Sequence, residues 1–246
     1  MLSYDGTAYA GWQVQPDVTT VQGLVTAAAR PLLGPDVRVI GASRTDAGVH
    51  ALRQVASLRT ESALAPAAVQ GALNAALPAD IRVREVTEAP AGFDARRSAS
   101  GKRYAYLIDN GATPNPLLRR YAWHVPWRLD ATAMRRALAA LRGRHDFSAF
   151  CAAPGRGTTP VCTVRACHVV RRKRGLIVML SSDRFLHHMV RNVVGSLVAV
   201  GRRARPPGWM AEVLASGDRT RAGPTAPPQG LTLVRVLYPE AGSSAC

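Results

Sequence analysis

The residues Ser43-Arg44-Thr45-Asp46-Ala47-Gly48-Val49-His50 set one carboxylate, Asp46, two positions after a cation, Arg44, and two before a glycine, Gly48. An apolar strand-like run, Val37-Arg38-Val39-Ile40, precedes them. A carboxylate on a tight turn at a strand end, beside an arginine, stays ionised and points outward. That is the state a nucleophile or an electrostatic catalyst requires. Taken alone, an Asp close to a Gly is an ordinary turn residue, so the assignment rests on its surroundings. The opening Tyr4-Asp5-Gly6-Thr7-Ala8-Tyr9-Ala10-Gly11-Trp12-Gln13 is aromatic and glycine-rich. It reads as a loop where backbone can approach a ligand, or as a turn with Tyr9 and Trp12 in the core.

A second polar group lies in residues 185–200, which read as one helix. Phe185, Leu186, Met189, Val190, Val193, Val194, Leu197 and Val198 mark a buried face. His187, His188, Arg191, Asn192 and Gly195 fall on the other face at the same period. Such a stripe is either solvated or faces an anion, and Asp46 is the natural anion for Arg191. Tyr104 and Tyr106 sit two apart on a strand-like run, where sheet packing is their default role.

The elements that must position these groups follow from pattern. Leu2–Tyr4 reads as a strand, and residues 19–33 as a helix with Thr19 and Gln22 at capping-box spacing. Residues 36–41 and 53–60 read as strands flanking the Asp46 loop. Pro66 opens a helix that ends near Pro78, and residues 81–86 alternate as a strand. The order is βαββαβ. It repeats with a strand at 104–108, a helix capped by Asp130, a hairpin over 161–170 and 175–182, the 185–200 helix, a short helix near 208–216 and a strand at 231–238. Two such units predict an α+β fold of two ferredoxin-like halves with mainly antiparallel sheets, residues 1–95 and 96–246. Only about three residues precede the first turn, against a usual strand of about 5–6. The natural chain is therefore expected to start upstream of Met1.

The 246 residues carry a net charge of +16. A strongly basic domain of this kind most often meets a polyanion, with nucleic acid the default. There is no apolar run long enough to span a bilayer and no secretory signal at the N-terminus. Cys151, Cys162, Cys167 and Cys246 do not form a disulfide framework. Cys162, Cys167 and His168 lack the second C-x-x-C pair a metal site would carry. A reduced, cytoplasmic protein without membrane association is expected. Arg96, Arg97, Lys102, Arg103 and the 171–174 cluster are candidate phosphate contacts.

These motifs together resemble the TruA-type tRNA pseudouridine synthases. The resemblance rests on Tyr4-Asp5-Gly6-Thr7 with Gly11-Trp12-Gln13, and on Arg44-Thr45-Asp46-Ala47-Gly48-Val49-His50-Ala51. It continues through Phe93-Asp94-Ala95-Arg96, Lys102-Arg103-Tyr104-Ala105-Tyr106 and His145-Asp146-Phe147. It closes with Phe185-Leu186-His187-His188-Met189-Val190-Arg191-Asn192 and Gly230-Leu231-Thr232-Leu233. The resemblance implies a homodimer with no cofactor and no metal, its halves joined around a central RNA-binding cleft. It implies that Asp46 is the catalytic carboxylate, that Tyr104 stacks on the target base, that Arg191 pairs with Asp46, and that Arg44 holds RNA or the loop. It implies tRNA as substrate, with uridines 38, 39 and 40 of the anticodon stem-loop as targets. Ser43 departs from the family's usual glycine, and the N-terminus is shorter than the family's. A non-catalytic basic RNA-binding protein or RNA chaperone would account equally for the charge, as would a ribosomal-type structural protein. Neither needs a carboxylate set among cations.

Overall fold

The structure is a computed structural model that describes residues 1–152 and 159–239, so Cys246 lies outside the described residues. The fold is mixed α+β, with mainly antiparallel sheet and five α-helices among the described residues. The chain divides into two compact units. One comprises Met1–Ser100 together with the chain from Leu233 onward, and the other comprises Gly101–Thr232.

In the first unit, the short strand β1 (Leu2–Tyr4) leads to helix α1 (Val21–Leu33), which buries Val21, Val25, Ala29 and Leu33 along one stripe. Its cap is Thr20, whose hydroxyl accepts the Gly23 amide at 3.3 Å. The expected capping box of Thr19 and Gln22 does not form, because the Gln22 carboxamide is engaged elsewhere. It accepts from Gln13 Nε2 at 2.7 Å and donates to the Val39 carbonyl at 2.7 Å. Val37 and Val39 alternate inward as expected, yet only β2 (Ile40–Gly41) has a ladder partner. That partner is β4 (Ala56–Ser57), which follows β3 (His50–Gln54), so the expected strands at 36–41 and 53–60 are shorter and shifted. Helix α2 (Pro66–Ala76) begins at its proline, and β5 (Ile81–Val83) follows. The Asn74 side chain ties this helix to β5 by bonding both the amide and the carbonyl of Val83. Strand β1 lies between β3 and β5, antiparallel to both, with Tyr4 opposite Ala51 and Ile81.

In the second unit, β6 (Gly101–Asp109), β7 (Trp123–His124), β8 (Gly143–Asp146), β9 (Val161–Arg172) and β10 (Gly175–Ser182) build the sheet, with helix α3 (Ala131–Ala139) between β7 and β8 in the chain. Its order is β6-β10-β9-β8, antiparallel throughout, and β7 adds to β6 in parallel. Asp130 caps α3 as expected, accepting the amides of Thr132 and Ala133 at 3.0 Å each. Helix α4 (Met189–Gly201) and helix α5 (Trp209–Ser216) complete the unit. The last strand, β11 (Leu231–Leu237), runs beside β3, and from Leu233 it belongs to the first unit.

One expectation about α4 is corrected, and one open alternative is narrowed. The helix does not begin at Phe185 but at Met189, because residues 185–188 are an irregular segment ending in His188 at φ 59°, a left-handed conformation that breaks helical geometry. Of the two readings of its second face, the solvated one fails at Asn192 and Gly195, which are buried together with Ser196, while His187 is exposed and Arg191 half-buried. Residues 219–226 cover that face.

Candidate active site

The Asp46 loop is fixed from three directions within the first unit. Thr45, immediately before Asp46, accepts the Trp12 amide on its carbonyl at 3.0 Å, and its hydroxyl pairs with the Tyr4 phenol at 2.8 Å. Gly11 makes the first contact possible. Its φ is +93°, and a Cβ there would lie 2.6 Å from the Thr45 carbonyl oxygen. On the other side, the Asp46 carbonyl accepts the Val49 amide at 3.1 Å, with Gly48 at φ +76° between them. That is type II turn geometry, where a glycine at the third position is the unstrained choice. The backbone approach inferred for the Tyr4–Gln13 segment is thus made by the Asp46 loop itself. Both core readings also hold: Tyr9 and Trp12 are buried.

The third support comes from Gln54, a residue the sequence reading took only as part of a strand. Its carboxamide donates to the Ser43 carbonyl at 2.7 Å and accepts the Ser43 amide at 3.2 Å, within reach of the Tyr4 hydroxyl at 3.4 Å. Both of these Ser43 contacts are main-chain, which explains why a serine stands where a glycine is expected without disturbing this support. The signal for Gln54 was a polar side chain at an inward position of a half-buried strand. Next along the loop, His50 Nδ1 lies 3.0 Å from the Gly6 amide and 3.1 Å from Asp5 Oδ1. The outcome is a rigid collar from which Asp46 is presented half-buried and Arg44 exposed.

In the second unit, Tyr104 and Tyr106 point to the same side of β6, as residues two apart on a strand must. Both are buried. Tyr104 meets the ring of Phe185 edge-on, with centroids 5.1 Å apart. Tyr106 donates its hydroxyl to the Pro227 carbonyl at 2.7 Å. Burial pushes the Tyr106 phenol far above the ordinary tyrosine range, and the nearby charge of Arg191 opposes this in part.

Arg191 is held at the start of α4 by a network reaching 35 residues along the chain. Its Nε donates to the Ala226 carbonyl at 2.8 Å, while its own carbonyl accepts the Ala226 amide at 3.1 Å. The segment carrying Ala226 is docked in turn by Asn192. That carboxamide accepts from Thr225 Oγ1 at 2.7 Å and Arg219 Nη2 at 3.0 Å, and donates to the Phe150 carbonyl at 2.7 Å. Ser196 adds a bond from the Gly223 amide at 2.8 Å. With its Nε committed to backbone, the guanidinium has a defined orientation rather than that of a free surface arginine.

The candidate phosphate contacts are placed as follows. Arg96 and Arg97 are exposed, and their amides bond Asp94, whose carboxyl those bonds hold below the usual carboxylate range. Lys102 is half-buried and Arg103 exposed on β6. All four residues of the 171–174 cluster are exposed at the tip of the β9–β10 hairpin. Cys162 is fully buried and donates weakly to the Pro160 carbonyl, while Cys167 donates to the Leu138 carbonyl at 3.4 Å. Among the described residues, no helix is long and apolar enough to cross a membrane.

Comparison with known proteins converges on one family. The family described as tRNA pseudouridine synthase matches residues 1–96 and 137–239. The matched segments include Asp46 and Arg191, and Tyr104 lies between them. The chain is 47% identical to a tRNA pseudouridine synthase A of Myxococcus xanthus, covering 96% of this chain and 90% of that protein. It is 45% identical to the protein of that name from Methylobacterium nodulans, over 100% and 97% of the two chains. Identity to the one from Caldicellulosiruptor bescii is 40%, over 96% and 97%. The chain, with its carboxylate loop and its buttressed arginine, belongs to the tRNA pseudouridine synthase family.

Proposed function

We propose that this chain isomerises uridine to pseudouridine in tRNA, with Asp46 as the catalytic carboxylate. The observation that carries the reading is the collar around Asp46: Thr45 and Ser43 are pinned by Trp12, Tyr4 and Gln54, so the carboxylate is held on a rigid turn. A nucleophile or charge stabiliser must be preorganised in this way to act on a developing cation.

The reaction breaks the N1–C1′ bond, turns the base, and forms a C5–C1′ bond. The proton leaves C5, and N1 ends protonated, so no atoms are lost. Positive charge develops at C1′ as the bond breaks, as in glycoside chemistry. An ionised Asp46 meets that charge by electrostatic stabilisation or by a covalent bond, or removes a proton through a glycal route. The target base must leave its stack to be reached. Stacking against an aromatic ring such as Tyr104 offsets part of that cost, about 1–3 kcal/mol. Arg191 is assigned as the counter-ion of Asp46 and Arg44 as a contact to RNA or to the loop. Arg96, Lys102 and Arg103 are assigned to the phosphate backbone.

The same reading takes the fold as two ferredoxin-like halves, residues 1–95 and 96–246, in a cytoplasmic homodimer acting on the anticodon stem-loop. Positions 38, 39 and 40 are the proposed targets. The test is to incubate purified protein with unmodified tRNA and map pseudouridine. New pseudouridine at those positions supports the reading. A purified, folded protein that leaves every uridine unchanged overturns it.

A further inference from the structure

The far end of α4 carries a feature that the proposed catalytic residues do not use. Arg128, Arg135, Arg171, Arg202 and Arg203 line a cavity of about 750 Å³ together with Leu129–Thr132 and Gly201. One carboxylate, Asp130, faces five arginines there. It is occupied as the α3 cap and as the partner of Arg203 Nη2 at 3.2 Å. Arg135 and Arg171 are anchored by single nitrogens, to the Val169 carbonyl at 2.9 Å and to Asn110 and Leu129 oxygens at 3.3 Å. A guanidinium has five N–H donors, so most of theirs remain for a ligand.

Two further observations separate this cluster from an ordinary solvated face. Trp127 is 53% exposed, and the Arg202 guanidinium lies over its ring at 3.7 Å from the centroid. With a guanidinium over one face, a half-exposed indole can stack a base on its other face while the neighbouring arginines neutralise phosphates. The other observation is the end of α4. The Ala204 amide bonds the Ala199 carbonyl and the Arg203 amide bonds the Val200 carbonyl, which is a Schellman motif. The left-handed residue of that motif is normally glycine, but here it is Arg203 at φ 61°. A bulky residue in this conformation is strained, and its side chain is aimed at Asp130 on the cavity wall.

We propose that the cavity and Trp127 form a second tRNA-contact surface, taking an unstacked base on the indole and its flanking phosphates among the arginines. It lies 11 residues along α4 from Arg191, about 16 Å at 1.5 Å per residue. It therefore contacts a part of the tRNA other than the nucleotide being isomerised. The inference rests on tRNA being the substrate.

The experiment compares wild-type protein, Trp127→Ala and Arg203→Gly for tRNA affinity across a salt series, alongside thermal melts. Trp127→Ala is expected to weaken binding by on the order of 5- to 150-fold, the loss of one stacked base. Arg203→Gly is expected to weaken binding and to flatten the log–log salt slope by about 0.7–0.9, one phosphate contact. It is also expected to raise the Tm by about 2–4 °C, because glycine relieves the left-handed strain. A tighter fold with weaker binding is a pair of changes that a purely structural arginine would not give. Affinities within twofold of wild type for both variants overturn the proposal. Wild-type conversion of uridine is measured in the same preparation. Lost binding with no wild-type conversion would sink the enzymatic reading and leave the contact surface standing.

Discussion

Gly11→Ala tests whether the collar around Asp46 matters to the chemistry. Gly11 sits at φ +93°, and a Cβ there would lie 2.6 Å from the Thr45 carbonyl oxygen and 3.0 Å from the Asp46 carbonyl carbon. An ordinary contact begins near 3.4 Å, so the Asp46 loop must retreat by nearly an ångström or the Trp12–Thr45 bond must break. The backbone conformation costs about 1–2 kcal/mol for an L-residue, and the crowding adds about 1–3 kcal/mol. The expected loss of about 2–5 kcal/mol lowers the Tm by roughly 4–20 °C. A displacement of about 1 Å at a reacting group costs on the order of 100-fold in rate. Gly34→Ala is the control. Gly34 is at φ +110° but has nothing within 4 Å of the added Cβ. At ψ 151° it lies in a region almost confined to glycine, so the variant should lose about 1–3 kcal/mol of stability and keep full turnover. The assay is tritium release from C5-labelled tRNA under single-turnover conditions, below both melting temperatures. If Gly11→Ala turns over within twofold of Gly34→Ala, the collar does not position the catalytic group.

Three further outcomes follow from particular contacts. Asn192→Ala strands the buried Phe150 carbonyl and the half-buried Arg219 and Thr225, and should cost about 2–4 kcal/mol by chemical denaturation; an unchanged midpoint would contradict the network. Burial and the nearby Asp183 carboxylate push the Cys162 thiol up to about 11, so it should resist a thiol-disulfide reagent at pH 8 until the protein unfolds. Rapid labelling of Cys162 in the native state, read by peptide mass spectrometry, would refute that. At Asp183, burial favours the neutral acid, but the Thr163 and Arg184 amides outweigh it and hold the carboxyl below its usual range. A folded-state value below the unfolded one, about 3.9, means stability present above that pH and lost as the pH falls through the folded value. Urea midpoints should therefore drop below about pH 4, and Asp183→Asn should flatten that drop; equal slopes for the two proteins would count against it.

Local signals carried much of the fold. Pro66 opened its helix and Asp130 capped its own, and the 161–182 hairpin matched its pattern, because each depends on neighbours along the chain. The start of α4 was misread because Phe185 and Leu186 keep helical spacing, while the left-handed His188 that breaks the helix leaves no periodic trace. Its polar face was left undecided for a different reason. What covers Asn192 and Ser196 is a loop up to 33 residues away, and no window along the helix contains it. As candidates for the site, Asp46, Arg44 and Arg191 could be named from charge and spacing. For Gln54 only the inward place on its strand was legible, not its partner, the Ser43 backbone 11 residues away. Tyr104 and Tyr106 share one face of a strand, and only their contacts, the Phe185 ring and the Pro227 carbonyl, distinguish their surroundings.

The central claim is that Asp46 performs the chemistry and is not merely a turn residue. Asp46→Asn keeps the size and the main-chain bonds of the loop while removing the negative charge. The account predicts tRNA affinity close to wild type and no pseudouridine formed over many wild-type turnover times. Pseudouridine formation by Asp46→Asn at a rate comparable to wild type would contradict it.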